Sequence, residues 1–103
     1  MKKFVLVALS AAALFATSPA MAALGEIDKA CRLANRAAST PQLCSCIQKV
    51  ANSSLTRTER RKVARWFKDP HQAQVVRQSD RRRDEILWER YKAFGEKAGK
   101  ACG

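Results

Sequence analysis

Four cysteines are the residues best placed to do chemistry in this chain: Cys31, Cys44, Cys46 and Cys102. Two of them, Cys44 and Cys46, stand one residue apart in the stretch LCSCIQKV. Cys-x-Cys suits a metal, a redox reaction or two separate disulfides, so the local sequence does not choose and the compartment must. The chain opens MKKFVLVALSAAALFATSPAMA, with Lys2 and Lys3, an apolar run from Phe4 to Ala16, and small residues at Ala20 and Ala22. These are the parts of a secretory signal with an A-x-A cleavage site. The apolar run is shorter than the roughly 20 residues of a spanning helix. Cleavage after Ala22 is expected, giving residues 1–22 as signal peptide and 23–103 as a single domain.

An even number of cysteines in a small exported chain points to two disulfides. The alternatives are weaker on chemical grounds. Four thiolates would suit zinc or copper(I), but no Cys-x-x-Cys pair is present and an oxidising compartment competes for the thiols. Redox catalysis lacks the same motif, which lowers a thiol pKa in such enzymes. We therefore expect no metal and no cofactor.

The second group is cationic. The chain carries 20 Lys and Arg against 9 Asp and Glu. Without Lys2 and Lys3 the remainder has 18 basic and 9 acidic residues, a net charge of +9. Arg57, Arg61, Arg65 and Lys68 recur three or four apart, so on a helix they form one face, widened by Arg60 and Lys62. Arg81, Arg82 and Arg83 add another cluster. The bland reading is a solvated helix face. The functional one is an anion-binding surface, for an anionic envelope lipid, lipopolysaccharide phosphates or an acidic protein. Nucleic acid is the poorer candidate, because phosphate attraction alone carries no sequence information.

Other constellations read as structure. Asp80, Asp84, Glu85 and Glu89 could line an amine pocket, but Arg83, Arg81 and Lys92 stand at helical spacing from Asp80, Glu85 and Glu89 and favour surface ion pairs. His71 is the only histidine and has no nucleophile or acid and base pair beside it, so catalysis is not expected. Trp66 and Phe67 beside Arg65 could form an interfacial wedge, although such aromatics more commonly sit in a core.

The elements that carry these residues are all helical. Leu24, Ile27, Cys31, Ala34 and Ala38 recur at helical spacing. Thr40 and Pro41 then start a second helix as N-cap and first residue, with Leu43, Cys46, Ile47 and Val50 as its apolar stripe. Thr56 and Glu59 form a capping box for a third helix, with Val63, Trp66 and Phe67 inward. Asp69-Pro70 stops it and starts a short helix through Ala73 and Val76. Ser79 or Asp80 caps a long last helix bearing Leu87, Tyr91, Phe94, Ala98 and Cys102, with Trp88 at the edge of its core face. The fold class expected is an all-α, disulfide-stapled bundle of four to five helices, with an N-terminal hairpin and a long C-terminal helix. No later segment is apolar enough to span a membrane.

An antiparallel hairpin centred near Ser39 sets Cys31 opposite Cys46 or Ile47. Cys44 lies roughly 200° from Cys46 on the helical wheel, which frees it for Cys102. Cys31 to Cys46 with Cys44 to Cys102 is thus the first pairing. The competing one, Cys31 to Cys44 with Cys46 to Cys102, stays open beside it.

The signal peptide, Cys44-Ser45-Cys46-Ile47-Gln48, Asp69-Pro70-His71-Gln72-Ala73-Gln74, Ser79-Asp80, and Trp88-x-x-Tyr91-x-x-Phe94 ending in a cysteine together resemble a family of small secreted alphaproteobacterial proteins, whose members often carry the name "arginine transporter". The resemblance runs over nearly all of residues 23–103. It implies at most a soluble accessory to arginine or amino-acid uptake, because a chain of this charge repels an arginine cation. No site residues carry over from it.

Overall fold

The structure is a computed structural model that describes residues 24–34 and 39–103; the expected signal peptide lies outside them. Five α-helices follow in order: α1 (Glu26–Leu33), α2 (Pro41–Ser54), α3 (Arg57–Lys68), α4 (Pro70–Arg77) and α5 (Arg82–Cys102). The described residues contain no strand. α2 packs against α1 and α5, α1 also against α3, and α4 lies across α3 and α5.

Local signals account for most helix starts. Thr40 caps α2, its Oγ1 accepting from the Leu43 amide at 3.1 Å, and Pro41 takes the first helical position, where its missing N–H costs no helical bond. At α3 the reciprocal capping box is complete. The Glu59 amide donates to Thr56 Oγ1 at 3.2 Å and the Thr56 amide to Glu59 Oε1 at 2.8 Å. α5 corrects the expected boundary, since neither Ser79 nor Asp80 is its N-cap; that position falls to Arg81. The Ser79 hydroxyl instead donates to Asp84 Oδ2 at 2.6 Å and accepts from the Arg81 amide at 3.2 Å, tying the preceding turn to the first turn of the helix.

The core joins Ile27, Ala51, Leu55, Val63, Trp66, Leu87 and Phe94. Along α5 the expected stripe holds, with Leu87 and Phe94 buried and Tyr91, Ala98 and Cys102 half-buried. Trp66 is only 6% exposed and meets Tyr91 edge-on, with ring centroids 4.9 Å apart and an interplanar angle of 79°. That geometry is worth about 1 kcal/mol beyond burial. Trp66 thus takes the core position expected from its place on the inward stripe, not that of an interfacial wedge.

α2 departs from the expected stripe. Leu43, Cys46, Ile47 and Val50 are half-buried, while Cys44, Gln48, Ala51 and the following Leu55 are buried. The helix is rotated so that a polar residue faces inward. Gln48 is satisfied there: its Oε1 accepts from the Asp28 amide at 2.9 Å and its Nε2 donates to Asn52 Oδ1 at 2.7 Å. Burying an amide without such partners would cost a few kcal/mol, so the two bonds make the rotation tolerable.

The rotation sets the disulfides. Cys44, fully buried, bonds Cys31 on α1, and Cys46 bonds Cys102 at the end of α5. The first pairing expected, Cys31 to Cys46, is thus incorrect and the competing one is found. Cys44 and Cys46 do leave α2 on opposite sides, but it is the side of Cys44 that faces α1. Two disulfides of this kind belong to an oxidising, non-cytoplasmic compartment.

Non-reducing peptide mapping will recover Cys31 with Cys44 and Cys46 with Cys102. Because the links span 13 and 56 residues, chain entropy assigns about 3 and about 4 kcal/mol to them, so replacing Cys46 and Cys102 with serine will destabilise more than replacing the other pair in denaturant titrations. Separately, a Cβ on Gly25 would overlap the carboxamide of the fixed Gln48 side chain, whereas nothing lies within 4 Å of one on Gly95. Gly25→Ala will cost about 1–3 kcal/mol, and Gly95→Ala, inside a helix, will stabilise by about 0.5–1 kcal/mol.

Candidate functional site

The six cations named from spacing separate into three roles. Arg57, Arg61, Arg65 and Lys68 are exposed along the outer side of α3, whose inner side presents Val63 and Trp66 to the core. None of the four forms an ion pair among the described residues. Lys62 is half-buried and turns toward α5, lining a groove with Arg82, Arg83 and Ile86. Arg60 leaves the set: its side chain is 19% exposed, its Nε lies 2.9 Å from Glu26 Oε1, and its Nη1 donates to the Leu55 carbonyl at 2.8 Å. It anchors α1 to the start of α3, and its charge is answered before any ligand arrives.

The acidic residues behave the same way. Glu59 receives the Arg90 Nε at 2.8 and 2.6 Å on its two oxygens, while Arg90 Nη2 donates to the Ser54 carbonyl. Asp28, 3% exposed, accepts from Arg32 Nε at 2.7 Å. Of the ion pairs read from spacing, only Lys92 with Glu89 forms, at 3.0 Å. Arg83 with Asp80 and Arg81 with Glu85 do not, because Ser79 and Asp84 organise that turn instead. Spacing missed Glu26 with Arg60 and Glu59 with Arg90, which are 34 and 31 residues apart. The capping-box glutamate was a partial signal, since Glu59 had to sit at the start of α3.

Both bridging glutamates are perturbed alike. Burial is the largest effect on Glu59 and opposes its ionisation, but the Arg90 guanidinium and the Thr56 amide together outweigh it and hold the carboxyl below its ordinary range. For Glu26, burial again opposes ionisation, and backbone hydrogen bonding, Arg60 and the more distant Arg57 overcome it.

The remaining candidates stay apart from this face. His71 is exposed in the first turn of α4. All four sulfurs are joined in disulfides, leaving no free thiol. No group of three His, Cys, Asp or Glu among the described residues could hold a metal ion. No helix among them is long and apolar enough to cross a membrane. No family model, curated protein or solved structure matches the chain.

The lowered glutamates set a pH dependence. A carboxyl whose folded pKa lies below its unfolded value of about 4.3 contributes stability that is fully present above that value and is lost as pH falls through the folded pKa. Thermal melts will therefore show stability declining below about pH 4.3. Glu59→Gln will be less stable than the parent at neutral pH and will lose less on acidification. Equal acid losses in the two proteins would show that the Arg90 pair does not contribute.

Proposed function

We propose that this is an exported, non-enzymatic binding protein, periplasmic or secreted, that presents the basic face of α3 to an anionic partner. The observation that carries the reading is the contrast between α3's cations. Arg60 is paired with Glu26, whereas Arg57, Arg61, Arg65 and Lys68 stand exposed and form no ion pair among the described residues. Unpaired like charges three and four apart repel one another by a few tenths of a kcal/mol per pair, and a multivalent anion relieves that repulsion. Envelope lipid or lipopolysaccharide phosphate offers such an array to an exported chain.

The surface can be altered without opening the core, since exposed substitutions generally change stability by less than about 0.5 kcal/mol. Changing Arg57, Arg61 and Arg65 together to glutamine will leave the melting temperature nearly unaltered. It will reduce co-sedimentation with anionic vesicles or lipopolysaccharide and flatten the salt dependence of what binding remains, as each lost ionic contact reduces counterion release. If parent and variant bind equally, or if neither binds at low salt, the stripe is a solvated face.

A further inference from the structure

Between α1 and α3 runs a groove of about 550 Å³, within the range of small-molecule sites. Its apolar lining is Ala30, Leu33 and Ala34 from α1 and Ala64 from α3. The alanines leave the space, because a single methyl group at each position cannot fill the gap between the two backbones. Leu33 is 75% exposed, the most exposed large hydrophobic side chain among the described residues. Among the described residues little covers that leucine.

The charges around the groove are of one effective sign. Lys29, Arg65 and Lys68 line it, and the one acid in its wall, Glu26, is already held by Arg60. The groove of about 590 Å³ beside α5 differs, because Glu85 and Glu89 stand there among its arginines. Apolar lining with three uncompensated cations is complementary to an apolar chain that ends in an anion. Long basic side chains can follow the chain with their methylenes while their charged ends meet the head group. The volume suits one acyl chain better than a protein helix, which with its side chains is about 10 Å wide.

We infer that the α1/α3 groove binds a single acyl chain carrying an anionic head group, the chain against Ala30, Leu33, Ala34 and Ala64 and the head group at Lys29, Arg65 and Lys68. This rests on the anionic-partner reading of α3 and names its ligand class. The outer stripe draws the protein to an anionic surface and the groove takes up one chain from it, with Arg65 and Lys68 shared between stripe and groove and the apolar wall of Ala30, Leu33, Ala34 and Ala64 belonging to the groove alone.

The test uses the exported protein and palmitoyl-lysophosphatidylglycerol below its micelle concentration, titrated by calorimetry. The expected result is one ligand per protein, with neutral monopalmitoylglycerol at least about tenfold weaker. Leu33→Gln, at a position too exposed to support the core, will weaken binding about tenfold, the effect of losing most of a leucine's apolar contact. Ala30→Phe, which fills the groove, will do the same, and both variants will still co-sediment with anionic vesicles like the parent. Absence of saturable binding in the parent, equal binding of the neutral lipid, or unaltered affinity in both variants would overturn the inference. So would an acidic amphipathic peptide that binds the groove where the lysolipid does not. Vesicle binding that persists without lysolipid binding sinks the groove alone, whereas loss of both sinks the anionic-partner reading as well.

Discussion

Two cysteines one residue apart on a helix must point to nearly opposite sides of it, and that constraint organises this protein. Cys44 and Cys46 sit roughly 200° apart on the wheel of α2, so one helix is bonded to α1 on one side and to the far end of α5 on the other. A core of this size gives a small domain only marginal stability by packing alone. The cross-links supply what the core lacks, and α3 and α4 complete the bundle by packing on the elements so fixed. Because α2 cannot turn without straining both bonds, the inward position of Gln48 and the site at which α1 docks are set together.

The sequence was legible wherever the cause was local. The Thr40 cap, the Thr56 and Glu59 capping box, the Asp69-Pro70 break and the Leu87 to Cys102 stripe each depend on neighbours within a turn or two, and each is found. The rotation of α2 was not legible, because apolarity ranks Leu43 and Ile47 above Gln48. What reverses that ranking is a hydrogen bond from Asp28, twenty residues earlier in the chain. The error then passed to the disulfides, since Cys44 faces α1 only once Gln48 does. The basic stripe was visible as a pattern, but the removal of Arg60 from it depended on Glu26, 34 residues away, and no spacing rule reaches so far.

Three of the nine acids are drawn inward to arginine partners. Glu26, Asp28 and Glu59 lie where helices meet, and each takes an arginine as its partner. With nine acids against twenty basic residues, three of them held at these junctions, the outer cations of α3 have no ion-pair partner among the described residues. A net excess thus becomes a directed patch rather than a diffuse one. Its attraction would reach about 8 Å at physiological ionic strength, far enough to orient the protein before contact and short enough to weaken with added salt.

α1 connects this electrostatic surface to the redox state of the chain. At eight residues it is too short to persist as an isolated helix in water. Its place beside α3 rests on Ile27 in the core, the Gln48 bond, the Glu26 to Arg60 pair and the Cys31 to Cys44 link. Arg60 is partly exposed and the Gln48 bond depends on α2 staying in register, so the covalent link and the burial of Ile27 are the contacts least sensitive to pH. α1 also supplies Ala30, Leu33 and Ala34, one whole wall of the α1/α3 groove. Reducing the Cys31 to Cys44 link would remove one of these four contacts and leave the wall to Ile27, the Gln48 bond and the Glu26 to Arg60 pair. The outer cations of α3 need only their own helix, packed by Val63 and Trp66, and do not depend on that link directly.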